Sequence, residues 1–315
     1  MTNIVKPNSA NIQKAAQIIK DGGLVAFPTE TVYGLGANVY NAKAVAAIFA
    51  TKRRPTFNPL ISHIAEIDFL KEYVETDERS LELARHFWPG PFTMILKRKE
   101  YNPGIDLACA GLPNASVRMP DHPIALDLIR LSGVPIVAPS ANRSQTISPT
   151  TAQHVADGLG NEVDMILDGG QCPIGVESTI VDVTGKDVVL LRAGGVPIEE
   201  IEDFLHEKVL IPTGAPGQPV APGQALNHYT PSHKFQINIA NPEEGVFYIG
   251  FGDCKRADIN LSPDGDLREA AANLFAFIRL ADEKAGDKGI AVAPIPENGL
   301  GLAINDRIRK AANKK

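Results

Sequence analysis

Residues 23–36 read GLVAFPTETVYGLG, an apolar run that opens into hydroxyl side chains and then glycines. The apolar part predicts a buried β-strand, and the residues after it predict a loop. A helix is predicted before this strand, over residues 8–20, because Ile12, Ala15 and Ile19 share one helical face. The order of helix, strand and polar loop indicates an α/β protein.

The same alternation continues along the chain. Further helices are predicted over 41–53, 77–88 and 122–133, with short apolar strands between them. Several of the strands follow one another without a helix between them, so the sheet is predicted to be mixed and not purely parallel.

Composition predicts a division into two α/β domains. The first spans residues 1–205. Residues 206–234, which include PTGAPGQPVAPGQALNHYTPSH, are dense in Pro and Gly and predict a linker. Residues 235–315 are predicted to form a smaller α/β domain, in which an apolar stripe predicts a long amphipathic helix over residues 266–286.

The overall composition limits the class of protein. The 315 residues carry 31 Lys and Arg against 37 Asp and Glu, a formal net charge of −6, which argues against a protein held mainly by a nucleic-acid backbone. The three cysteines are far apart and never form CxxC, so neither a disulfide framework nor a zinc site is indicated. With no secretory signal and no long apolar span, we expect a cytoplasmic protein without a membrane partner.

Basic residues at the end of two predicted elements need an explanation. Lys52, Arg53 and Arg54 close a helix, where the helix dipole favours cations, but the prolines that follow also suit a guanidinium held rigidly for phosphate. Arg118 is flanked by apolar residues and prolines, so a buried charge with an anionic partner is expected.

Hydroxyl and amide side chains gather in the loop at residues 138–150, APSANRSQTISPT. Such groups beside a helix N-terminus can collect phosphate oxygens. The alternative is that Ser148 is only a helix N-cap. Neither GxxxxGK[ST] nor GxGxxG after the first strand is present, so any phosphate site must be assembled from separated strands.

Several of these motifs together resemble one family. FPTETVYGLG, KRRPTFNPL, FWPGPFTMILK, VRMPDHP, APSANRSQTISPT and STIVDV with LLRAGG are similar, in order and spacing, to the YrdC-type L-threonylcarbamoyladenylate synthases. The similarity covers residues 8–205, and the linker and C-terminal end resemble the long, two-domain form of the enzyme. The resemblance implies a YrdC-like twisted open mixed sheet with a concave basic face, plus a smaller Rossmann-like α/β domain.

The resemblance also implies a reaction. L-threonine, bicarbonate or carbon dioxide, and ATP would give threonylcarbamoyl-AMP and pyrophosphate, and other proteins would transfer the threonylcarbamoyl group to a tRNA adenosine beside the anticodon. Direct tRNA contact is left open and is not required. Mg²⁺ is expected with ATP, held by phosphate oxygens and water and not by protein side chains.

Site residues follow from motif positions within this resemblance. Lys52 and Arg54 are assigned to catalysis. The threonine moiety is assigned to Thr31, His63, Arg118, Ala138 and Ser178. ATP is assigned to Arg54, Asn58, Ser140, Asn142, Ser148, Arg192 and Tyr229. The linker is predicted to fold toward the active site with Tyr229 over the adenylate, although a plain interdomain tether is an equal alternative.

Two other function classes remain open from sequence. One is an RNA-binding module that uses the concave basic face, which the acidic net charge and the lack of interleaved aromatics disfavour. The other is a carbamoyltransferase-type enzyme, which the missing zinc-finger cysteines and acylphosphatase-like segment disfavour.

Overall fold

The computed structural model describes residues 3–99, 102–212, 221 and 229–313. Strands and helices alternate through residue 205, as the sequence predicts. The ten strands of the larger sheet are β1 (Ile4–Val5), β2 (Val25–Phe27), β3 (Gly34–Asn38), β4 (Ile61–His63), β5 (Phe92–Lys97), β6 (Asn114–Arg118), β7 (Ile136–Val137), β8 (Met165–Leu167), β9 (Thr179–Asp182) and β10 (Val189–Arg192).

In the described part of the chain, eight α-helices accompany this sheet. They are α1 (Ser9–Lys20), α2 (Ala42–Lys52), α3 (Leu70–Tyr73), α4 (Glu78–Phe87), α5 (Pro103–Ala108), α6 (Pro123–Ser132), α7 (Ala152–Leu159) and α8 (Ile198–Leu205), with 3₁₀ turns at Ile67–Phe69 and Gly160–Glu162.

The larger sheet is mixed, which confirms the prediction. Its strand order is β1-β8-β2-β3-β7-β4-β6-β5-β9-β10. The pairs β4/β6 and β5/β9 are parallel, whereas β2/β3, β3/β7 and β5/β6 are antiparallel. This order brings the ends of β3, β4, β6, β7 and β9 close together although they are distant in sequence.

Helices cover parts of both sheet faces, because successive strand residues point to opposite sides. Val25 and Phe27 pack with helices α1 and α6, whereas Ala26 between them belongs to a second core built with α2, α4, α5 and α7. A third, smaller cluster joins Ile61, Ile95 and Ile180 to Ala221, the one residue described between 212 and 229.

The smaller sheet has four parallel strands in the order β11-β14-β12-β13. Its elements are β11 (Phe235–Gln236), β12 (Phe247–Gly250), β13 (Ile259–Asn260), α9 (Leu267–Lys284), β14 (Ile290–Val292) and α10 (Leu300–Ala312). The predicted long helix is therefore present as α9, and it buries the expected apolar stripe.

The core of this second unit continues into the first. Val32, Ile147 and Val176 from loops of the larger sheet belong to the same buried cluster as Leu274 and Ile304 of α9 and α10. The cores of the two domains therefore meet at these loops.

The helices in the described part of the chain include none with the length and apolar character that a membrane span requires.

Candidate active site

A cavity lies where the ends of several strands of the larger sheet meet. Nine of the predicted site residues line it: Thr31, Arg54, His63, Arg118, Ala138, Ser140, Ser178, Arg192 and Tyr229. The sequence assigned some of these residues to threonine and the others to ATP, and both groups face one space. Their individual roles remain predictions.

The basic triplet divides at the end of α2. Arg53 is exposed and adopts a left-handed conformation, φ 50°, as the helix C-cap. Helix α2 therefore ends at Lys52, one residue before the predicted end at residue 53. Arg54 turns inward, and its Nε and Nη2 donate to the carbonyls of Asn58 (3.1 Å) and Pro59 (2.9 Å). The left-handed cap residue thus separates a solvated arginine from a buried one.

Arg54 and Arg192 supply positive charge to the cavity. Burial, with the charge of the neighbouring Arg192, lowers the pKa of Arg54 to about 9. Burial likewise lowers the pKa of Arg192 to about 10. Both guanidiniums therefore stay protonated at neutral pH. Because they are desolvated, their attraction for an anion is stronger than on an open surface.

Lys52 lies behind the cavity wall and not in it. It is 1% exposed, and its Nζ donates to the carbonyls of Ser140 and Asn142, both at 2.5 Å. Burial and the nearby charge of Arg54 lower the pKa of Lys52 well below its usual value. In this conformation Lys52 anchors the loop that carries Ser140, and its assignment to catalysis remains a prediction.

Three further predicted residues also lie outside the cavity lining. The Asn142 amide donates to the Thr146 carbonyl (2.8 Å), and Asn58 is buried beside Arg54. Ser148 is fully buried, and its hydroxyl donates to Glu177 Oε1 (2.8 Å). The N-cap alternative for Ser148 is wrong, because the N-cap of α7 is Thr151.

Arg118 has the anionic partner that its apolar surroundings required, and that partner is internal. Its Nη2 lies 2.5 Å from Glu30 Oε1, and both side chains are 4% exposed. Its Nη1 donates to Thr31 Oγ1 (3.0 Å) and its Nε to the Gly90 carbonyl (3.2 Å). A guanidinium has five N–H donors, so these contacts leave donors for a substrate carboxylate.

His63 at the end of β4 contributes a neutral imidazole. Burial, followed by the charge of Arg118, lowers the pKa of His63 to about 3. The ring lies edge-on to Phe27, with 6.4 Å between the ring centroids, and its Nδ1 is buried without a hydrogen-bond partner. A buried polar atom of this kind is costly unless a bound molecule satisfies it.

Ser178 is held between neighbouring strands. Its hydroxyl lies 2.7 Å from Thr93 Oγ1 and accepts a hydrogen bond from Arg192 Nη2 (3.0 Å). Arg192 Nε and Nη2 also donate to the Ser178 carbonyl. The residue assigned to threonine and the residue assigned to phosphate are therefore fixed to each other.

Tyr229, at the end of the linker, lines the cavity and is 1% exposed. Its ring stacks on Phe275 of α9, with 5.0 Å between the ring centroids. Most of the predicted linker, residues 213–220 and 222–228 with His228, lies outside the described residues. The prediction that Tyr229 covers an adenylate is compatible with this position and remains a prediction.

Sequence reasoning missed two carboxylates and an arginine. Glu30 stands inside PTET and Glu177 directly precedes Ser178, so their proximity to assigned residues was the available signal. Arg307 in the C-terminal helix carried a weaker signal, its helical spacing with Ile304 and Ile308 of the buried face. The sequence pattern does not distinguish these three residues from ordinary charged residues that face solvent.

Comparison with known proteins identifies the relatives of this chain. Residues 17–194 match a family model described as "Telomere recombination", named for Sua5, YciO and YrdC. Residues 196–313 match one described as "Threonylcarbamoyl-AMP synthase, C-terminal domain".

Full-length relatives agree with both models. The chain is 44% identical to the threonylcarbamoyl-AMP synthase of Pyrococcus abyssi, over 96% of this chain and 94% of the relative, and 39% identical to that of Bacillus subtilis, over 99% and 96%. The crystal structure of P. abyssi Sua5 complexed with L-threonine superposes with a TM-score of 0.89 at 40% identity, covering 98% of this chain and 96% of that one. This chain belongs to the threonylcarbamoyl-AMP synthase family.

Proposed function

We propose that this protein synthesises L-threonylcarbamoyl-AMP and pyrophosphate from L-threonine, bicarbonate or carbon dioxide, and ATP. The observation that carries the proposal is the single cavity in which Arg118, His63 and Ser178 lie together with Arg54 and Arg192. An amino acid and a nucleotide bound in one such space would have their reacting groups adjacent. Family membership, with a relative solved in complex with L-threonine, supports threonine as the substrate.

The first chemical step joins nitrogen to carbon. The threonine ammonium loses a proton and its amine attacks carbon dioxide. Loss of a second proton from the same nitrogen then leaves a carbamate group with one negative charge. Arg118 would hold the threonine carboxylate, while the neutral His63 and the hydroxyls of Thr31 and Ser178 would orient the rest of the molecule. A neutral imidazole suits this position because it leaves the substrate ammonium unrepelled.

The second step is nucleotidyl transfer. A carbamate oxygen attacks the α-phosphorus of ATP, the bond from that phosphorus to the β-phosphate oxygen breaks, and pyrophosphate leaves. In such reactions the protein contributes chiefly positioning and charge stabilisation, so no side-chain nucleophile is needed. Arg54 and Arg192, both buried and protonated, would stabilise the charge that develops on the phosphates.

ATP is proposed to enter as its magnesium complex. Among the described residues that line the cavity, the one carboxylate is Glu177, and its two oxygens already accept hydrogen bonds from Ser148 and Arg307. The described residues contain no group of three or more His, Cys, Asp or Glu placed to hold a metal ion. The site therefore does not fit a protein-held Mg²⁺, and the ion would arrive bound to the phosphates as part of the substrate.

The product would serve tRNA modification in the cytoplasm, with other proteins moving the threonylcarbamoyl group to adenosine.

The RNA-binding alternative requires cations that reach a phosphate backbone from solvent, whereas Arg54, Arg118 and Arg192 are all less than 10% exposed. The carbamoyltransferase-type alternative is disfavoured because the relatives that match this chain over its full length are threonylcarbamoyl-AMP synthases.

Mass spectrometry of the product tests the proposal. Purified protein with MgATP, L-threonine and bicarbonate is expected to form threonylcarbamoyl-AMP and one equivalent of pyrophosphate. Omission of threonine or bicarbonate should stop both. Pyrophosphate release at the same rate without threonine would contradict the assigned substrate.

A further inference from the structure

Arg307 connects the C-terminal helix to the wall of the cavity. It lies on α10, is 0% exposed, and its Nε donates to Glu177 Oε2 across the domain boundary (2.9 Å). Its Nη1 donates to the Ala193 carbonyl (2.9 Å) and contacts Asp306 (2.6 Å). A buried guanidinium with this many partners is held in one orientation.

Glu177 is shared between the two domains. Oε1 accepts from Ser148 of the first domain and Oε2 from Arg307 of the second. Glu177 also lines the cavity beside Arg54 and Arg192. A carboxylate at this place would repel a nucleotide triphosphate unless a cation neutralised it.

Arg307 also lies close to two other residues that line the cavity. Ala193, whose carbonyl it binds, directly follows Arg192 in the chain. The Arg307 guanidinium carbon lies 5.8 Å from the centre of the Tyr229 ring, within the range of a cation–π contact. One side chain of α10 thus contacts the surroundings of three cavity residues.

We propose that Arg307 is a positioning residue for ATP, which neutralises Glu177 and holds it away from the phosphates, so that docking of the C-terminal domain is a condition for nucleotide binding. This inference rests on the proposed function, because it assumes that ATP enters this cavity. It assigns the C-terminal domain a part in substrate binding, through one buried ion pair and without direct contact with the nucleotide.

The two substrates should respond differently to the loss of this ion pair. Glu177 lines the cavity with Arg54 and Arg192, the residues assigned to ATP, and without the charge of Arg307 its carboxylate repels an anion there more strongly. Threonine binds as a zwitterion whose carboxylate is assigned to Arg118, which has its own carboxylate partner in Glu30. Loss of Arg307 should therefore weaken ATP much more than threonine.

The test compares R307M, which keeps an unbranched apolar side chain but removes the guanidinium and its charge, with the double variant E177Q/R307M. Binding of a non-hydrolysable ATP analogue with Mg²⁺ and of L-threonine is measured separately by calorimetry. R307M is expected to weaken the ATP analogue about tenfold and threonine less than about twofold. The double variant should recover most of the ATP affinity, because it also removes the negative charge of Glu177.

R309M is the matched control. Arg309 lies on the same helix but is half exposed and pairs with Glu297 at the surface (2.7 Å), so its loss should leave both affinities within about twofold of wild type. R309M therefore makes the same Arg-to-Met change at a position that does not line the cavity.

Two results would overturn the inference: unchanged ATP affinity in R307M, or a double variant that binds no more tightly than R307M. If R307M does not fold, the double variant is measured alone. ATP binding by the double variant then supports the neutralisation of Glu177 by Arg307, and absent binding contradicts it. Wild-type protein that neither binds ATP nor releases pyrophosphate would instead refute the proposed function. The two failures are therefore distinguishable.

Discussion

Arg118 and Glu30 form a buried ion pair, with Arg118 Nη2 2.5 Å from Glu30 Oε1 and both side chains 4% exposed. The pair lies beside Thr31, which accepts a second hydrogen bond from the same guanidinium. An arginine predicted to bind a substrate carboxylate is thus already balanced by a carboxylate of the protein. Mutation can therefore separate the contribution of Arg118 to protein stability from its predicted contribution to threonine binding.

Arg118→Met is expected to destabilise the protein and abolish threonine binding. Removal of one partner leaves Glu30 as an unpaired buried carboxylate, which costs about 3 to 5 kcal/mol. Adding Glu30→Gln should restore much of the stability, because the stranded charge is gone, but not the affinity for L-threonine. Urea unfolding and calorimetry measure the two quantities. Recovery of threonine binding in the double variant would show that Arg118 is not a substrate ligand.

Arg53→Ala and Arg54→Ala should differ sharply although they are adjacent. Arg54 lines the cavity, so its loss is expected to lower the rate of threonylcarbamoyl-AMP formation about 100-fold. Arg53 is an exposed helix cap, and its replacement should change that rate by less than about twofold. Steady-state pyrophosphate release gives both values, and circular dichroism checks the fold. Equal losses would contradict the division of the triplet.

Acid should destabilise the protein partly through His63. Above pH 6.5 the imidazole is neutral in both the folded and the unfolded state. As the pH falls from 6.5 toward the folded-state pKa of about 3, only the unfolded state binds the proton, so the free energy of unfolding decreases. The contribution approaches about 1.4 kcal/mol per pH unit within that window.

Replacing His63 tests this pH dependence. Between pH 6.5 and 5, the wild type should lose about 1.6 kcal/mol more stability than His63→Gln, as measured by urea unfolding at each pH. His206→Asn, a change at an exposed helix end, serves as the control and should follow the wild type. Parallel curves for the wild type and His63→Gln would contradict the buried neutral imidazole.

Gly175→Ala should weaken the contact between the domains. Gly175 has φ +73°, and a Cβ there would lie 2.4 Å from the Ala271 carbonyl oxygen of α9, too close to be accommodated without a backbone shift. Gly170 also has a positive φ, +81°, but a Cβ at that position meets nothing within 4 Å. The two substitutions therefore share backbone strain and differ in the clash.

We expect Gly170→Ala to cost about 1 kcal/mol and Gly175→Ala about 3 kcal/mol or more. Thermal unfolding measures the difference, and limited proteolysis reports whether the domains separate. Because ATP binding is inferred to need the docked C-terminal domain, Gly175→Ala should also weaken the ATP analogue more than Gly170→Ala does. Equal effects of both changes would mean that the close approach to α9 is not important.

Much of the fold was predictable from sequence because its signals are local. The apolar face of α1, the strand before PTET and the long stripe of α9 each depend on residue spacing within one element, and all three are present. The mixed character of the sheet followed from strands without helices between them. The strand order did not follow, because pairings such as β5 with β9 join residues 87 positions apart, as in Phe92 with Thr179.

The candidate site, like the fold, was predictable from the sequence only in part. Motif positions led to Arg54, Arg118 and Arg192, and the structure brings all three into one cavity. The same reasoning assigned Lys52 to catalysis and Ser148 to ATP, and both assignments remain predictions. In the structure the Lys52 amine donates to two carbonyls and the Ser148 hydroxyl to Glu177. These partners come from other segments of the chain, so motif positions alone do not reveal them.

The sequence by itself therefore determined the α/β class, the two-domain composition, the family resemblance and the set of chemical groups from which a site is built. Only the tertiary structure decided which of those groups share a cavity and which neutralise one another. The physical reason is that hydrophobic periodicity acts between neighbours along the chain, whereas the energy of a buried charge depends on partners brought in from far away. Glu177 and Arg307, 130 residues apart and 2.9 Å from each other, illustrate that dependence.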